Sequence, residues 1–252
     1  MDELIITAAP NWVKITLNRP QVKNALNTAV LAGLAGVLAD CADDPDCRAV
    51  LICGAGGHFA AGADVAEIAN KSSADAAVDP RKAHWAAIRA FPKPIVAAVD
   101  GYALGGGFEL ALMADFIVLG PDAKLGLPET NLGLIPGAGG GQRLMHLVGR
   151  ARASRLVMLV EVIDATTAYD WGISGWLADG PALQLAEDIV ARLCNRAPLA
   201  LGAAKAALVA GAEAALAFET ERAGFERLMD SDDKSEGIAA FKARRKPVFA
   251  GI

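Results

Sequence analysis

Hydrophobic and polar residues change their spacing along the chain in a way that separates strands from helices. Between residues 13 and 17, apolar side chains occupy every second position, which predicts a half-buried strand. Three short runs, at residues 49–53, 95–99 and 116–119, are continuously apolar, and each predicts a strand buried on both faces. Helical patterns lie between these strands, so this part of the chain is predicted to be an α/β domain.

Helical patterns also account for the rest of the chain. Asn27 offers an N-cap to a first helix whose leucines share one face, and residues 80–91 have helical composition. Towards the C-terminus, helical patterns cover residues 181–197, 199–209, 213–229 and 235–246. We therefore predict an α/β core over residues 1–195 and a helical region over residues 196–252 that packs on the core or on another subunit.

The composition supports a large hydrophobic core. Of the 252 residues, 54% are hydrophobic and 21% are charged. The net charge of −5 argues against a nucleic-acid-binding protein, because such proteins neutralise phosphates with basic surfaces. A basic cluster at residues 242–246 is either a local anion-binding spot or the solvated face of a last helix.

The cysteines and the N-terminus indicate a cytoplasmic protein. The four cysteines, at positions 41, 47, 53 and 194, form no Cys-x-x-Cys pair, which favours buried thiols in a reducing compartment over a disulfide or metal framework. The acidic N-terminus is unlike a secretory signal. No apolar stretch approaches the ~20 residues that a transmembrane helix needs. We expect a soluble, cytoplasmic protein that does not enter a membrane.

Glu109 follows a triple glycine in residues 101–110 (GYALGGGFEL), at the junction between a predicted strand and a predicted helix. Glycines there let a ligand approach the backbone, and a helix N-terminus offers peptide N–H groups and partial positive charge to a developing anion. A tight turn with close helix–sheet packing explains the glycines equally well. Helix capping is likewise the ordinary explanation for a glutamate near a helix start.

Two further segments can supply the rest of a catalytic site. Residues 59–64 (FAAGAD) combine small side chains with Asp64, which is expected to cap a short helix over residues 65–70. Residues 125–130 (LGLPET) place Glu129 in a loop rich in glycine and proline. Two carboxylates beside two glycine-rich turns are suited to moving protons next to a carbonyl whose oxygen becomes an anion.

These segments resemble the enoyl-CoA hydratase (crotonase) family. The resemblance runs from residues 16–20 (TLNRP) to residues 135–140 (IPGAGG) and returns at residues 235–241 (SEGIAAF). It implies a ClpP-like spiral of β-β-α turns followed by C-terminal helices that assemble homotrimers, which often pair into homohexamers. Within the family, the chain most resembles the hydratases of phenylacetate catabolism that act on 2,3-dehydroadipyl-CoA.

The resemblance also assigns roles to residues of this sequence. Glu109 and Glu129 correspond to the catalytic carboxylates, and the N–H groups of Ala63 and Gly106 correspond to an oxyanion hole for the thioester oxygen. The substrate is implied to be an acyl-CoA thioester, so no metal or separate cofactor is expected. The residues expected to contact coenzyme A are Lys23, Ala25, Leu26, Ala61, Asp64, Val65 and Ala66. The residues expected to form the acyl pocket are Trp85, Phe108, Leu134 and Pro136.

The implied reaction is the reversible syn addition of water to a 2-trans-enoyl-CoA, which gives the 3-hydroxyacyl-CoA of fatty acid β-oxidation. Many relatives keep only one of the carboxylates, so the presence of both favours hydration over Δ3,Δ2-enoyl-CoA isomerisation, the main alternative. A non-catalytic or RNA-binding relative is the alternative from another class, and the net charge of −5 counts against it.

The end of the acyl chain poses a separate question. If the acyl chain is dicarboxylic, its second charge is costly to bury without a partner. The helix predicted over residues 80–91 borders the acyl tail in the family and carries four basic or titratable side chains, Arg81, Lys82, His84 and Arg89. These side chains are either solvated or available to such a charge.

Overall fold

The computed structural model describes residues 2–212, 223–226 and 228–248. In chain order its strands are β1 (Leu4–Ala9), β2 (Trp12–Leu17), β3 (Ala49–Gly54), β4 (Ile95–Val99), β5 (Tyr102–Leu104), β6 (Phe116–Leu119), β7 (Lys124–Gly126), β8 (Ile163–Asp164) and β9 (Trp176–Leu177). The larger sheet has the order β1-β2-β3-β4-β6-β9 and is parallel except for the β1–β2 pair. The smaller sheet has the order β5-β7-β8.

Helices follow most of these strands. In chain order they are α1 (Thr28–Asp43), α2 (Val65–Ile68), α3 (Ser73–Ala77), α4 (Arg81–Arg89), α5 (Gly106–Met113), α6 (Gly140–Met158), α7 (Ala165–Asp170), α8 (Ala182–Cys194), α9 (Pro198–Ala212) and α10 (Asp232–Ala243). Residues 223–226 are also helical. Short 3-10 turns occupy Pro20–Val22, Ala55–Gly57 and Pro128–Leu132.

The inner strands of the larger sheet are buried on both faces. On one face Ile52 and Leu119 pack into the same apolar cluster as Leu34 of α1. On the other face Leu51 and its neighbours pack against Ile189 of α8. The two-sided burial predicted for β3, β4 and β6 is therefore confirmed, and the predicted alternation of strands and helices in this part of the chain is confirmed with it.

The start of helix α1 is fixed by its N-cap residue, Asn27. The Asn27 side chain accepts a hydrogen bond from the N–H of Val30 at 2.7 Å, which satisfies one of the amides that a helix N-terminus leaves open. Helix α1 ends at Asp43, just before the sequence Asp44-Pro45. Its buried side chains include Leu31, Leu34 and Leu38, the face that the sequence predicts.

Two neighbouring parallel strands carry the glutamates to one edge of the smaller sheet. Strands β5 and β7 are paired in parallel, so their C-terminal ends lie side by side. Strand β5 leads through Gly105 into α5, which holds Glu109, and β7 leads into the 3-10 turn that holds Glu129. Gly105 has φ +49° and ψ −128°, a conformation that is essentially restricted to glycine.

The C-terminal part of the chain contributes to the same region. Helix α10 lies against the turn that holds Glu129, so closely that a Cβ built on Gly237 would be 2.6 Å from the backbone of Leu132. The helices predicted at 181–197, 199–209 and 235–246 correspond to α8, α9 and α10. Residues 213–222 and 227 of the remaining predicted helix lie outside the described residues. A division of the chain at residue 195 stays a prediction.

Two further expectations concern the cysteines and membranes. All four cysteines are buried and carry free thiols, as their spacing predicts. Within the part of the chain that the structure describes, no helix has the length and apolarity needed to cross a bilayer.

Candidate active site

Glu109 is buried in the first turn of α5, where it meets the N-terminus of α6. Its Oε1 atom accepts hydrogen bonds from the backbone N–H groups of Ala138, at 2.8 Å, and Gly140, at 2.9 Å. A Cβ built on Gly140 would lie 2.6 Å from Glu109 Cγ. Only glycine therefore allows this helix N-terminus to approach the carboxylate so closely.

Burial dominates the electrostatics of Glu109. Loss of solvent raises the pKa of its carboxyl group above the ordinary value, while the backbone N–H donors and the charge of Arg143 act in the opposite direction. The net shift is upward, so the ionised form of Glu109 is a stronger base than an exposed glutamate. The N–H groups at the start of α6 still supply a defined orientation for the carboxylate.

The amides of Ala63 and Gly106 lie side by side at the mouth of the turn before α5. A Cβ built on Gly106 would be 3.4 Å from the nitrogen of Ala63. Neither N–H donates to an acceptor within the described residues, although the carbonyl of Gly62 and the N–H of Asp64 both bond to the backbone of Leu26. Two neighbouring N–H groups that both remain open are a geometry suited to a carbonyl oxygen that gains negative charge.

Glu129 approaches the same place from the other strand. It lies in the first turn of the 3-10 segment Pro128–Leu132, and its Oε1 atom is 2.9 Å from the position that a Cβ on Gly105 would take. Its Oε2 atom is shielded from solvent. The glycine at 105 thus makes room for the Glu129 carboxylate directly beside the two open amides.

A cavity of about 270 Å³ joins these groups. Glu109, Glu129, Ala63 and Gly106 all line it, and most of the remaining wall is apolar. Trp85 also lines it, and its ring lies 3.9 Å from the position of a Cβ on Gly106. The cavity therefore combines two carboxylates, two amide donors and an apolar chamber within one enclosure.

The predicted acyl-pocket residues divide into two groups. Trp85 and Leu134 line the cavity, whereas Phe108 and Pro136 do not. Phe108 is fully buried in the main apolar core. Adjacent helical residues point about 100° apart, so the turn that directs Glu109 into the cavity directs Phe108 away from it. Pro136 is buried within the loop before α6.

The residues expected to contact coenzyme A are divided in the same way. Leu26, Ala61 and Val65 line the cavity. Lys23, Ala25, Asp64 and Ala66 lie outside its wall: the first two flank Leu26, Asp64 precedes α2 and Ala66 lies within α2.

Two of these flanking residues have contacts of their own. Asp64 caps α2 by accepting a hydrogen bond from Ala66 N–H at 3.2 Å, as predicted, and it also binds Arg19 at 2.9 Å. Lys23 is exposed, with its Nζ atom 4.6 Å above the ring of Tyr102. Asp64 thus orders the segment that presents the Ala63 amide.

Several residues of the site were not predicted from the sequence. They are the amide donors to Glu109, Ala138 and Gly140, and two wall residues from the C-terminal region, Phe225 and Phe241. The cation Arg81, one of four candidates on its helix, also lines the wall. The run of glycines at 137–141 is the only sequence signal for the donors. Arg81 is recognisable from sequence only as one basic residue among several on its helix.

The described residues contain no group of three or more His, Cys, Asp or Glu side chains arranged to hold a metal ion. The two glutamates that share the cavity with the open amides can transfer protons next to a carbonyl oxygen held by the backbone.

Comparison with known proteins identifies the family. The model of the enoyl-CoA hydratase/isomerase family matches residues 8–251. The 2,3-dehydroadipyl-CoA hydratase of Escherichia coli K12 is 43% identical over the full length of both chains. The probable enoyl-CoA hydratase echA8 of Mycobacterium bovis is 39% identical over 93% of each chain. The crystal structure of an enoyl-CoA hydratase from Mycobacterium avium subsp. paratuberculosis superposes with a TM-score of 0.87 at 32% identity, covering 99% of each chain.

The chain therefore belongs to the enoyl-CoA hydratase/isomerase family and has the crotonase fold. Members of this family are enzymes that process coenzyme A thioesters. The resemblance seen in the sequence motifs is confirmed for the family by the matching model. It is confirmed for the finer likeness by the Escherichia coli relative.

Proposed function

We propose that this protein is an enoyl-CoA hydratase that adds water reversibly to a 2-trans-enoyl-CoA and yields the 3-hydroxyacyl-CoA. The observation that carries the proposal is the meeting of Glu109 and Glu129 with the open amides of Ala63 and Gly106 in one largely apolar cavity. Coenzyme A is part of the substrate, and no separate cofactor has a role in this chemistry.

Each group has a defined task in the proposed reaction. The amides of Ala63 and Gly106 hold the thioester oxygen and stabilise the negative charge that it gains as the double bond accepts a nucleophile. Glu109, held by two backbone donors, takes a proton from water as the water oxygen bonds to the β-carbon. Glu129 gives a proton to the α-carbon, and the two roles reverse in dehydration. Both carboxylates line the same cavity, so both act on one bound substrate.

Two of the expected binding regions fit the same substrate. Leu26, Ala61 and Val65 line the cavity next to the open amides and are proposed to contact the coenzyme A moiety. Trp85 and Leu134 form apolar wall and are proposed to contact the acyl chain. Lys23 is exposed, its backbone carbonyl accepts a hydrogen bond from the cavity residue Ala61, and its side chain is proposed to meet a phosphate of coenzyme A.

The finer substrate proposal is 2,3-dehydroadipyl-CoA, a dicarboxylic enoyl-CoA. Its support is the 43% identity to the hydratase of that name, over the full length of both chains. A general short-chain hydratase is the alternative, and it predicts a preference for the monocarboxylic chain of the same length.

Incubation with crotonyl-CoA tests the reaction class. Hydration removes the conjugated enoyl thioester, so its ultraviolet absorbance should fall and 3-hydroxybutyryl-CoA should appear by mass spectrometry. In parallel, 3-hexenoyl-CoA tests isomerisation, which would increase the same absorbance with no change in mass. A gain of absorbance on 3-hexenoyl-CoA, together with stable crotonyl-CoA, would assign the protein to the isomerases instead.

A further inference from the structure

Arg81 occupies an unusual position for a cation, because it is buried and lies on the wall of an otherwise largely apolar cavity. The residue is 8% exposed and begins α4. A buried guanidinium is costly unless it is paired. The groups that do and do not pair with Arg81 therefore indicate which ligand it can bind.

One side of the guanidinium is firmly held by Asp79. The Nε atom of Arg81 lies 3.0 Å from Asp79 Oδ1, and its Nη2 atom lies 2.6 Å from Oδ2. Asp79 has a side chain only 1% exposed, and these contacts hold the pKa of its carboxyl group well below the ordinary value. This fork-like pairing fixes the plane and direction of the Arg81 head group.

The other side of the guanidinium remains open. The hydrogen bonds of the guanidinium leave from Nε and Nη2, Nη1 has no acceptor within the described part of the chain, and the residue lines the cavity. Asp79 also binds Lys71 at 2.5 Å, so its carboxylate is shared between two cations and does not belong to Arg81 alone. A guanidinium N–H without a protein acceptor, on a cation that shares its counter-ion, favours an anionic ligand.

Arg81 lies one helical turn from Trp85, the cavity residue next to the oxyanion amides. Arg81 and Trp85 lie four residues apart on one face of α4, which separates them by about 6 Å along the helix axis. Trp85 in turn touches the oxyanion amide region, at 3.9 Å from the position of a Cβ on Gly106. An extended chain advances roughly 1.2 Å per bond, so the five carbon–carbon bonds of a six-carbon acyl group cover about 6 Å, which is similar to the axial rise from Trp85 to Arg81.

We propose that Arg81 binds the terminal carboxylate of a dicarboxylic enoyl-CoA and thereby determines selectivity for that substrate class. This inference rests on the proposed hydratase function and specifies its substrate. Asp79 is a positioning residue that aims Arg81, and it shares its carboxylate with Lys71. The interaction lies far from the bonds that change, so it acts on the ground state and the transition state alike and appears mainly in KM.

The test compares 2,3-dehydroadipyl-CoA with 2-hexenoyl-CoA, which has the same carbon number and one carboxylate fewer. In Arg81→Met, the ratio of kcat/KM for the dicarboxylic to the monocarboxylic substrate should fall at least about tenfold, mainly through KM, as expected for one lost charge-assisted hydrogen bond. Arg81→Lys should retain more of the ratio. Lys82→Met is the matched control, since Lys82 is the next cation on α4 and pairs instead with Glu226, and its ratio should not change.

A second variant and a binding assay keep the test informative. Asp79→Asn combined with Arg81→Met avoids leaving the buried Asp79 carboxylate with one partner fewer, and it should show the same loss of ratio. Calorimetric binding of the saturated analogues adipyl-CoA and hexanoyl-CoA reports on Arg81 without any turnover. An unchanged ratio and unchanged adipyl-CoA affinity in the folded variants would overturn the role of Arg81. Absence of hydration of either substrate by the unmodified protein would instead refute the proposed function.

Discussion

Replacing Glu109 by glutamine separates the chemical role of this residue from its structural role. The glutamine side-chain oxygen can accept the same two hydrogen bonds, from Ala138 at 2.8 Å and Gly140 at 2.9 Å, that Oε1 of Glu109 accepts. The position of the side chain should therefore be preserved. What disappears is the proton acceptor, and with it the activation of water.

The expected magnitude follows from that loss. A positioned acid or base contributes roughly 10²- to 10⁴-fold to the rate, which corresponds to about 3 to 5 kcal/mol of activation free energy. We expect kcat for crotonyl-CoA hydration to fall by this factor, with little change in acetyl-CoA affinity because Glu109 has no predicted contact with coenzyme A. Glu187→Gln is the control, since Glu187 pairs with Lys14 on the surface, and its kcat should be unchanged. Normal turnover by Glu109→Gln would falsify the two-glutamate mechanism.

Glu109→Gln should lower activity, but its stability relative to the unmodified protein should increase as the pH rises. The pKa of Glu109 is raised by burial above its reference value of 4.5, so the folded state binds its proton more tightly than the unfolded state. Below that reference value this contribution to stability is fully present, and it is lost as the pH rises through the raised pKa. The glutamine variant lacks the titration. Its Tm relative to the unmodified protein should therefore increase between pH 4 and pH 8, and a difference in Tm that does not vary with pH would contradict the shift.

Three further predictions test the site and the assembly. Gly105→Ala places a Cβ 2.9 Å from Glu129 Oε1, in a backbone conformation that costs roughly 1–3 kcal/mol for other residues. The kcat of this variant should fall at least about tenfold. Gly180→Ala is the control, since nothing lies within 4 Å of the new Cβ, and its activity should not change. Ala63→Pro removes a proposed oxyanion donor and should lower kcat about 10²-fold or more in a variant shown to be folded by circular dichroism; full activity would exclude this amide. We expect a homotrimer or homohexamer, because apolar side chains such as Leu199 are left exposed, at 89%; a monomeric mass by light scattering at micromolar concentration would be inconsistent with this.

The sequence predicts those parts of the fold that depend on local pattern. The buried strands β3, β4 and β6 have continuous apolar runs, and the Asn27 cap precedes a helix with one apolar face. Strand β1 was not predicted, because most of its residues are exposed and it pairs only at the edge of the sheet. Strands β5, β7, β8 and β9 are two or three residues long. At that length, tertiary pairing and not residue spacing defines a strand.

The site was predictable only in part, for a related reason. Glycine-rich turns and glutamates are visible in the sequence, but their meeting depends on the parallel pairing of β5 and β7. The prediction that Phe108 forms part of the acyl pocket was wrong. Phe108 is adjacent to Glu109 in sequence, and adjacent residues on a helix face different sides. Arg81 could not be separated from the other basic residues of α4 until the structure placed it against Asp79 and the cavity.

Backbone N–H groups supply many of the electrostatic interactions of this site. The first turn of α5 contributes the open amide of Gly106, and the N-terminus of α6 contributes the donor of Gly140 to Glu109. Both helix ends point partial positive charge at places where negative charge must reside or develop. Side-chain truncation leaves such donors intact, so alanine scanning would assign most of the activity to the two glutamates and miss the amides. Substitution of the glycines that allow these contacts tests the amides instead. A larger residue at 105 would displace the Glu129 carboxylate, and one at 140 would displace the N-terminus of α6 from Glu109, and neither change removes a functional side chain.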